Sequence, residues 1–102
     1  MAESSIAGSD RMPPLTDLKL NEIGEALGVN ENVMTLGLHL GFPRPKMEMF
    51  LATNRADGNV SPKGTKNMLF AWRNTTPSAK QVAELRDALV KADLRLVADE
   101  HL

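Results

Sequence analysis

The chain has 102 residues, 42% of them apolar and 25% charged, with a net charge of −1. That length supports one domain with a single modest core, and the balanced charge excludes a global field drawing the chain to nucleic acid or membrane. The absence of cysteine excludes a disulfide framework and a thiolate metal site and fits a reducing compartment; no apolar run approaches the roughly 20 residues that span a bilayer.

Three Phe, one Trp and no Tyr leave the core to rest on Leu, Val, Ile, Met and Ala. Met1 to Asp10 is rich in Ser, Ala and Gly and lacks the basic start and apolar stretch of a secretory signal. Residues 1–13 therefore read as a disordered tail or a cloning remnant, and residues 14–102 as the domain, plausibly one unit of a longer protein.

Pro13-Pro14 closes the tail. Thr16 is placed to cap a first helix through Leu27, with Leu20, Ile23 and Leu27 on one face, Leu18 and Ala26 at its flanks, and Gly28 as the stop. Asn30 is expected to cap a second helix through Leu40, burying Val33, Leu36 and Leu40 before Gly41. Gly37 inside it costs about 1 kcal/mol against alanine, which implies that a neighbouring element comes close. A third helix follows from about Pro45 to Asn54, since a first-turn proline loses no hydrogen bond; it buries Met47, Phe50 and Leu51.

Arg55 to Gly64 reads as a loop centred on Asp57-Gly58-Asn59. The fourth helix opens either at Ser61-Pro62, as cap and first residue, or later near Thr65, and ends near Arg73 with Met68, Leu69 and Trp72 inward. Thr76-Pro77 starts a fifth helix to about Ala92, with Val82, Leu85 and Leu89 in the core. Asp93 is placed to cap a short sixth helix carrying Leu94, Val97 and Ala98. No strand of useful length and no internal repeat is present. The expected fold is all-α: a six-helix antiparallel bundle.

Charge is grouped along the chain. Asp17, Glu22, Glu25 and Glu31 make the first two helices acidic, while Arg44, Lys46, Arg55, Lys63 and Lys66 make the third and fourth basic. The end turns acidic again through Glu84, Asp87, Asp93, Asp99 and Glu100. Such a division suits a head-to-tail contact in which the acidic patch of one domain meets the basic patch of another. Phe42, Phe70, Met34 and Met49 fall partly outside the core stripes.

Catalysis needs a constellation of groups, and none is found: no catalytic residues, cofactor-binding residues or metal ligands are assigned. His39 and His101 are the only histidines, and His39 reads as a surface or packing residue on the outer side of its helix. No zinc-protease, nucleophile-elbow or phosphate-loop motif occurs, two separated histidines do not make a zinc site, and the acids lack calcium-loop spacing.

Leu36-Gly37, Leu40-Gly41, the Met47 and Phe50 pair, Leu69 to Trp72, and Ala88-Leu89 together resemble the death domain. The resemblance runs from about Leu15 to Leu102. Val33 stands where that family tends to carry a tryptophan, and the segment between the third and fourth helices is long, with Gly and Pro. The resemblance implies homotypic protein–protein interaction with other death domains, in an intracellular, cytoplasmic signalling complex of the apoptotic or inflammatory type. It implies no cofactor, enzyme activity, small-molecule substrate or membrane insertion.

A helix-turn-helix DNA-binding domain is the alternative, with Ile23 to Val29 as first helix and turn and Asn30, Asn32 and Thr35 on the recognition helix. Glu31 to Leu40 holds no Lys or Arg, so that helix would meet phosphates with an acidic start. Another helical scaffold module is the third reading.

Overall fold

The computed structural model describes residues 15–102, so the reading of residues 1–13 as a tail lies outside the described residues. These form six α-helices and one short 3₁₀ turn, with no strand among them: α1 (Asp17–Leu27), α2 (Asn32–His39), α3 (Arg44–Thr53), the 3₁₀ turn (Ala56–Gly58), α4 (Lys63–Asn74), α5 (Ser78–Lys91) and α6 (Arg95–His101).

The helix ends follow from local chemistry. Thr16 is extended, and its hydroxyl oxygen accepts from the Lys19 N–H at 3.0 Å, satisfying an orphan donor of the first turn. Gly28 ends α1 at φ +59°, a left-handed conformation that glycine takes without a Cβ penalty. Asn30 does not hold the cap position expected of it: α2 spans Asn32–His39 with Glu31 at its cap and no side-chain cap bond, although the Asn30 side-chain oxygen accepts from the Asn32 N–H at 2.8 Å in the turn before it. Pro43 stands at the cap position of α3, and Pro45 sits in its first turn.

Two further expected caps are corrected. Ser61 does not cap α4: Pro62 occupies the cap position, the helix opens at Lys63, and the Ser61 N–H donates back to the Asn54 carbonyl at 2.8 Å. Asp93 does not cap α6 either. It turns the chain at φ +64°, and Leu94 takes the cap position with no side-chain cap bond. The reason is steric: α6 must fold back on α5, the corner needs one left-handed residue, and aspartate tolerates that conformation better than most.

Helix α4 is central, packing against both α1 and α3; α1 also meets α6, α5 meets α6 and α2, and α2 meets α3. Leu20, Ile23, Leu27, Val33, Leu36, Met47, Met68, Leu69, Leu85 and Leu89 are buried, and Trp72 is only 2% exposed, so Trp72 lies in the core as its place in the pattern requires. Leu40, Phe50, Val82 and Val97 were expected in that core but are only half-buried against its margin. They sit on the flanks of their helical stripes, packed against the core from outside; Phe50, for example, meets Phe42 edge-on at a centroid separation of 5.4 Å. Leu18, placed at a flank, is 68% exposed, and Ala26 is exposed as well. Leu15 and Ala92 are buried additions.

Gly37 marks a close approach as its cost implies. A Cβ there would run into the Sδ and Cε of Met47 on α3. Gly64 does the same between α3 and α4, where a Cβ would overlap the carbonyl oxygen of Phe50.

Candidate protein-interaction surface

Three corners of the bundle are tied by a buried polar clip. The Asn54 side-chain amide donates to the Thr65 hydroxyl at 2.9 Å, its carbonyl oxygen accepts from the Thr65 N–H at 3.0 Å, and the Thr65 hydroxyl donates to the Gly28 carbonyl at 2.9 Å. Asn54 is 2% exposed and Thr65 fully buried. Side-chain polar atoms this deep must be paired to be tolerated, and no buried side-chain nitrogen or oxygen among the described residues lacks a partner. The clip locks the end of α3 and the start of α4 onto the α1–α2 corner.

That arrangement leaves a groove of about 300 Å³ beside the clip. It is lined by Val29, Met34 and Leu51 together with Asn30, Glu31, Arg44, Asn54 and Arg55. Of its charged residues Arg44, Arg55 and Glu31 are exposed, two cations to one acid.

The remaining basic residues separate into free and engaged groups. Lys46 is exposed, its ammonium 5.5 Å from the centroid of the Phe50 ring, and Lys63 is exposed. Arg44 faces Glu48 one turn on at 3.8 Å, both largely exposed. Lys66 differs: it bridges directly to Glu25, tying α4 to α1. The acids of α1 are largely engaged in the same way. Asp17 bridges to Arg73, and Glu22 lies 3.5 Å from Lys19. The charge grouping seen along the chain is thus partly resolved inside the molecule, where acidic α1 lies on basic α4. Among the described residues, Glu31 alone of the four acids has no ion-pair partner within 4 Å.

A second polar anchor joins the start of the fold to its middle. The Leu15 N–H donates to the Gln81 side-chain oxygen at 2.9 Å, the Gln81 amide donates to the Thr76 carbonyl at 2.9 Å, and Arg73 donates to the Leu15 carbonyl at 3.1 Å. Gln81 is 4% exposed. Neither Gln81 nor the Asn54–Thr65 clip was legible beforehand, since each side chain finds its partners through long-range contacts. Gly64 was a local hint of the close α3–α4 packing.

His39 is exposed, on the outer side of α2. Phe42, Phe70 and Met34 are half-buried, and Met49 is 65% exposed. Among the described residues no helix is long and apolar enough to cross a membrane.

Six short helices pack around one core, with a charged groove on the outside, as in a helical bundle of the death-fold class. The family model of the death domain matches residues 17–101. The chain belongs to the death-domain family. Comparison with curated proteins and with solved structures gives no match. Death domains are protein–protein interaction modules, which directs attention to the surface rather than to a catalytic centre.

Proposed function

We propose that this domain recruits other death domains through homotypic contacts into an intracellular signalling assembly of the apoptotic or inflammatory type, acting as an adaptor module in the cytoplasm. The receiving surface is the basic side of α3 and α4, carried by Arg44, Lys46, Arg55 and Lys63, with Lys66 at its edge. The observation that carries this reading is the groove lined by Arg44 and Arg55 together with Val29, Met34 and Leu51, on a side that also exposes Lys46 and Lys63. Asp17, Glu22, Glu25 and Glu31 are acids that a basic surface could meet, and the internal pairs of the first three reduce what each has to offer.

Recognition of this kind is noncovalent. Complementary patches steer encounter and set register more than they set affinity. A contact joining two different patches does not close on itself and can extend into rings or helices. An upstream event concentrates such domains, and weak contacts then act together through their effective concentration.

Sedimentation velocity of the chain over a concentration series, at low and at physiological salt, tests self-association. Growth beyond a dimer that weakens with salt is expected. A monomer throughout points to a different death domain as the partner. Lys46→Glu should weaken association several-fold while leaving thermal unfolding unchanged; association indifferent to that reversal contradicts the basic surface.

A further inference from the structure

Internal ion pairs change which acids can answer the basic groove. Asp17, Glu22 and Glu25 are each engaged by a cation of their own domain, and Glu31 already lies on the groove. Glu48 faces Arg44 beside the groove itself, and a further group of acids lies in the C-terminal stretch. There Asp87 is held by Lys91 at 3.0 Å, and Asp99 by Arg86 at 3.2 Å and Arg95 at 3.7 Å. Glu84, Asp93 and Glu100 are exposed and have no ion-pair partner among the described residues; of these, Asp93 and Glu100 lie at α6.

Between them stands Leu96, 70% exposed. Leu96 and Glu100 are four residues apart on α6 and so share a helix face, and Asp93 occupies the corner just before it. A lone exposed leucine is ordinary on a protein surface; this one is set apart by its charge surroundings. Leu18 is about as exposed, at 68%, but its neighbours Asp17 and Lys19 are both engaged in internal pairs. Met49, at 65%, projects from α3 itself, on the basic side. Leu96, the most exposed of the large apolar side chains among the described residues, is flanked by unpaired carboxylates.

We propose that the groove between the α1–α2 corner and α3 receives α6 of a second copy of this chain, with Leu96 against Val29, Met34 and Leu51, with Glu100 meeting Arg55, and with Asp93 competing with Glu48 for Arg44. The inference rests on the homotypic reading above and names its acidic side. Groove and α6 face are different surfaces, so a pair leaves one groove on one copy and one α6 face on the other, and the contact propagates head to tail. Leu96 supplies apolar burial, and the charged side chains supply register and sign.

The test uses the 102-residue chain in low salt, by sedimentation velocity, with Leu96→Ser, Glu100→Arg, Arg55→Glu, the Arg55→Glu/Glu100→Arg double variant and Lys46→Glu. All these positions are exposed, and circular dichroism melting confirms that each variant folds. The expected result is at least tenfold weaker association for Leu96→Ser, Glu100→Arg and Arg55→Glu. It also includes recovery in the double variant and in an equimolar mixture of the two charge-reversed single variants. If Leu96→Ser and Glu100→Arg associate like the parent while Lys46→Glu does not, α6 is not the occupant: the inference falls and the homotypic reading stands. If the parent chain remains monomeric at every concentration, a second copy is not the occupant, and self-association fails with it.

Discussion

Three glycines show how one missing methyl group is read differently at each position. At Gly64 a Cβ would meet a backbone carbonyl, that of Phe50, which cannot rotate away, so α3 and α4 would have to separate. Gly64→Ala is expected to destabilise the domain by about 1–3 kcal/mol, more than any gain in helix propensity, as urea unfolding will show. At Gly24 the obstacle is only Cγ of Lys66, the middle of a flexible side chain. Replacing glycine inside a helix gains about 1 kcal/mol, and displacing Lys66 risks an exposed ion pair worth about 0–1 kcal/mol. Gly24→Ala should therefore leave stability within about 1 kcal/mol of the parent. Gly37 lies between these cases, because the obstacle is the Met47 thioether, flexible but fully buried. Trp72 is the largest side chain in the core at 2% exposure. Trp72→Ala should cost about 3–5 kcal/mol, enough to unfold much of so small a domain at physiological temperature; unchanged thermal unfolding would contradict its central place.

Among the elements, hydrophobic stripes put the helices against one another, and two buried polar anchors fix where their ends meet. Asn54 serves as donor and acceptor to Thr65, which passes a hydrogen bond to Gly28. Removing Asn54 leaves the buried Thr65 N–H without this partner, and an unsatisfied buried donor costs about 1–3 kcal/mol. Asn54→Ala should lower stability by about that amount in urea unfolding, and amide exchange should quicken first at the start of α4. Gln81 holds the start of the fold in the same way, through the Leu15 N–H. The ion pairs Glu25–Lys66 and Asp17–Arg73 join the same helices, yet their carboxylates are 60% and 81% exposed, so solvent screens them. Glu25→Gln is expected to change stability by less than about 1 kcal/mol and to shift little with salt. These pairs matter more for the charge they withdraw from the surface than for the energy they add.

For the molecule as a whole, the consequence is directional. A net charge of −1 describes neither face: acidic α1 is partly neutralised against α4, Arg44 and Arg55 line the groove, and Asp93 and Glu100 stand unpaired at α6 among the described residues. A chain with one receiving and one inserting surface builds open assemblies rather than closed dimers. Growth should therefore depend on concentration and salt together, and reversing one sign should be repaired by reversing its counterpart.

The helical class, the six elements and most of the core were legible in the chain because they rest on local physics. Leu20, Ile23 and Leu27 recur with the helix period, Thr16 and Asn30 offer side-chain oxygens to free N–H groups, and Gly28 and Gly41 stop helices. The family followed from the same apolar positions, with Leu69 to Trp72 at their centre. Tertiary structure decided what depends on residues far apart in sequence. It placed Phe50, Val82, Leu40 and Val97 at the core margin, because burial is set by which neighbours pack against a helix. It buried Asn54, Thr65 and Gln81, polar residues whose partners lie up to 66 positions away. It also paired Glu25 with Lys66 and Asp17 with Arg73, so that charges which look like a surface patch along the chain are partly consumed inside it. Periodicity reports which face of a helix is apolar; only the packed neighbours determine which charges on the other face remain free.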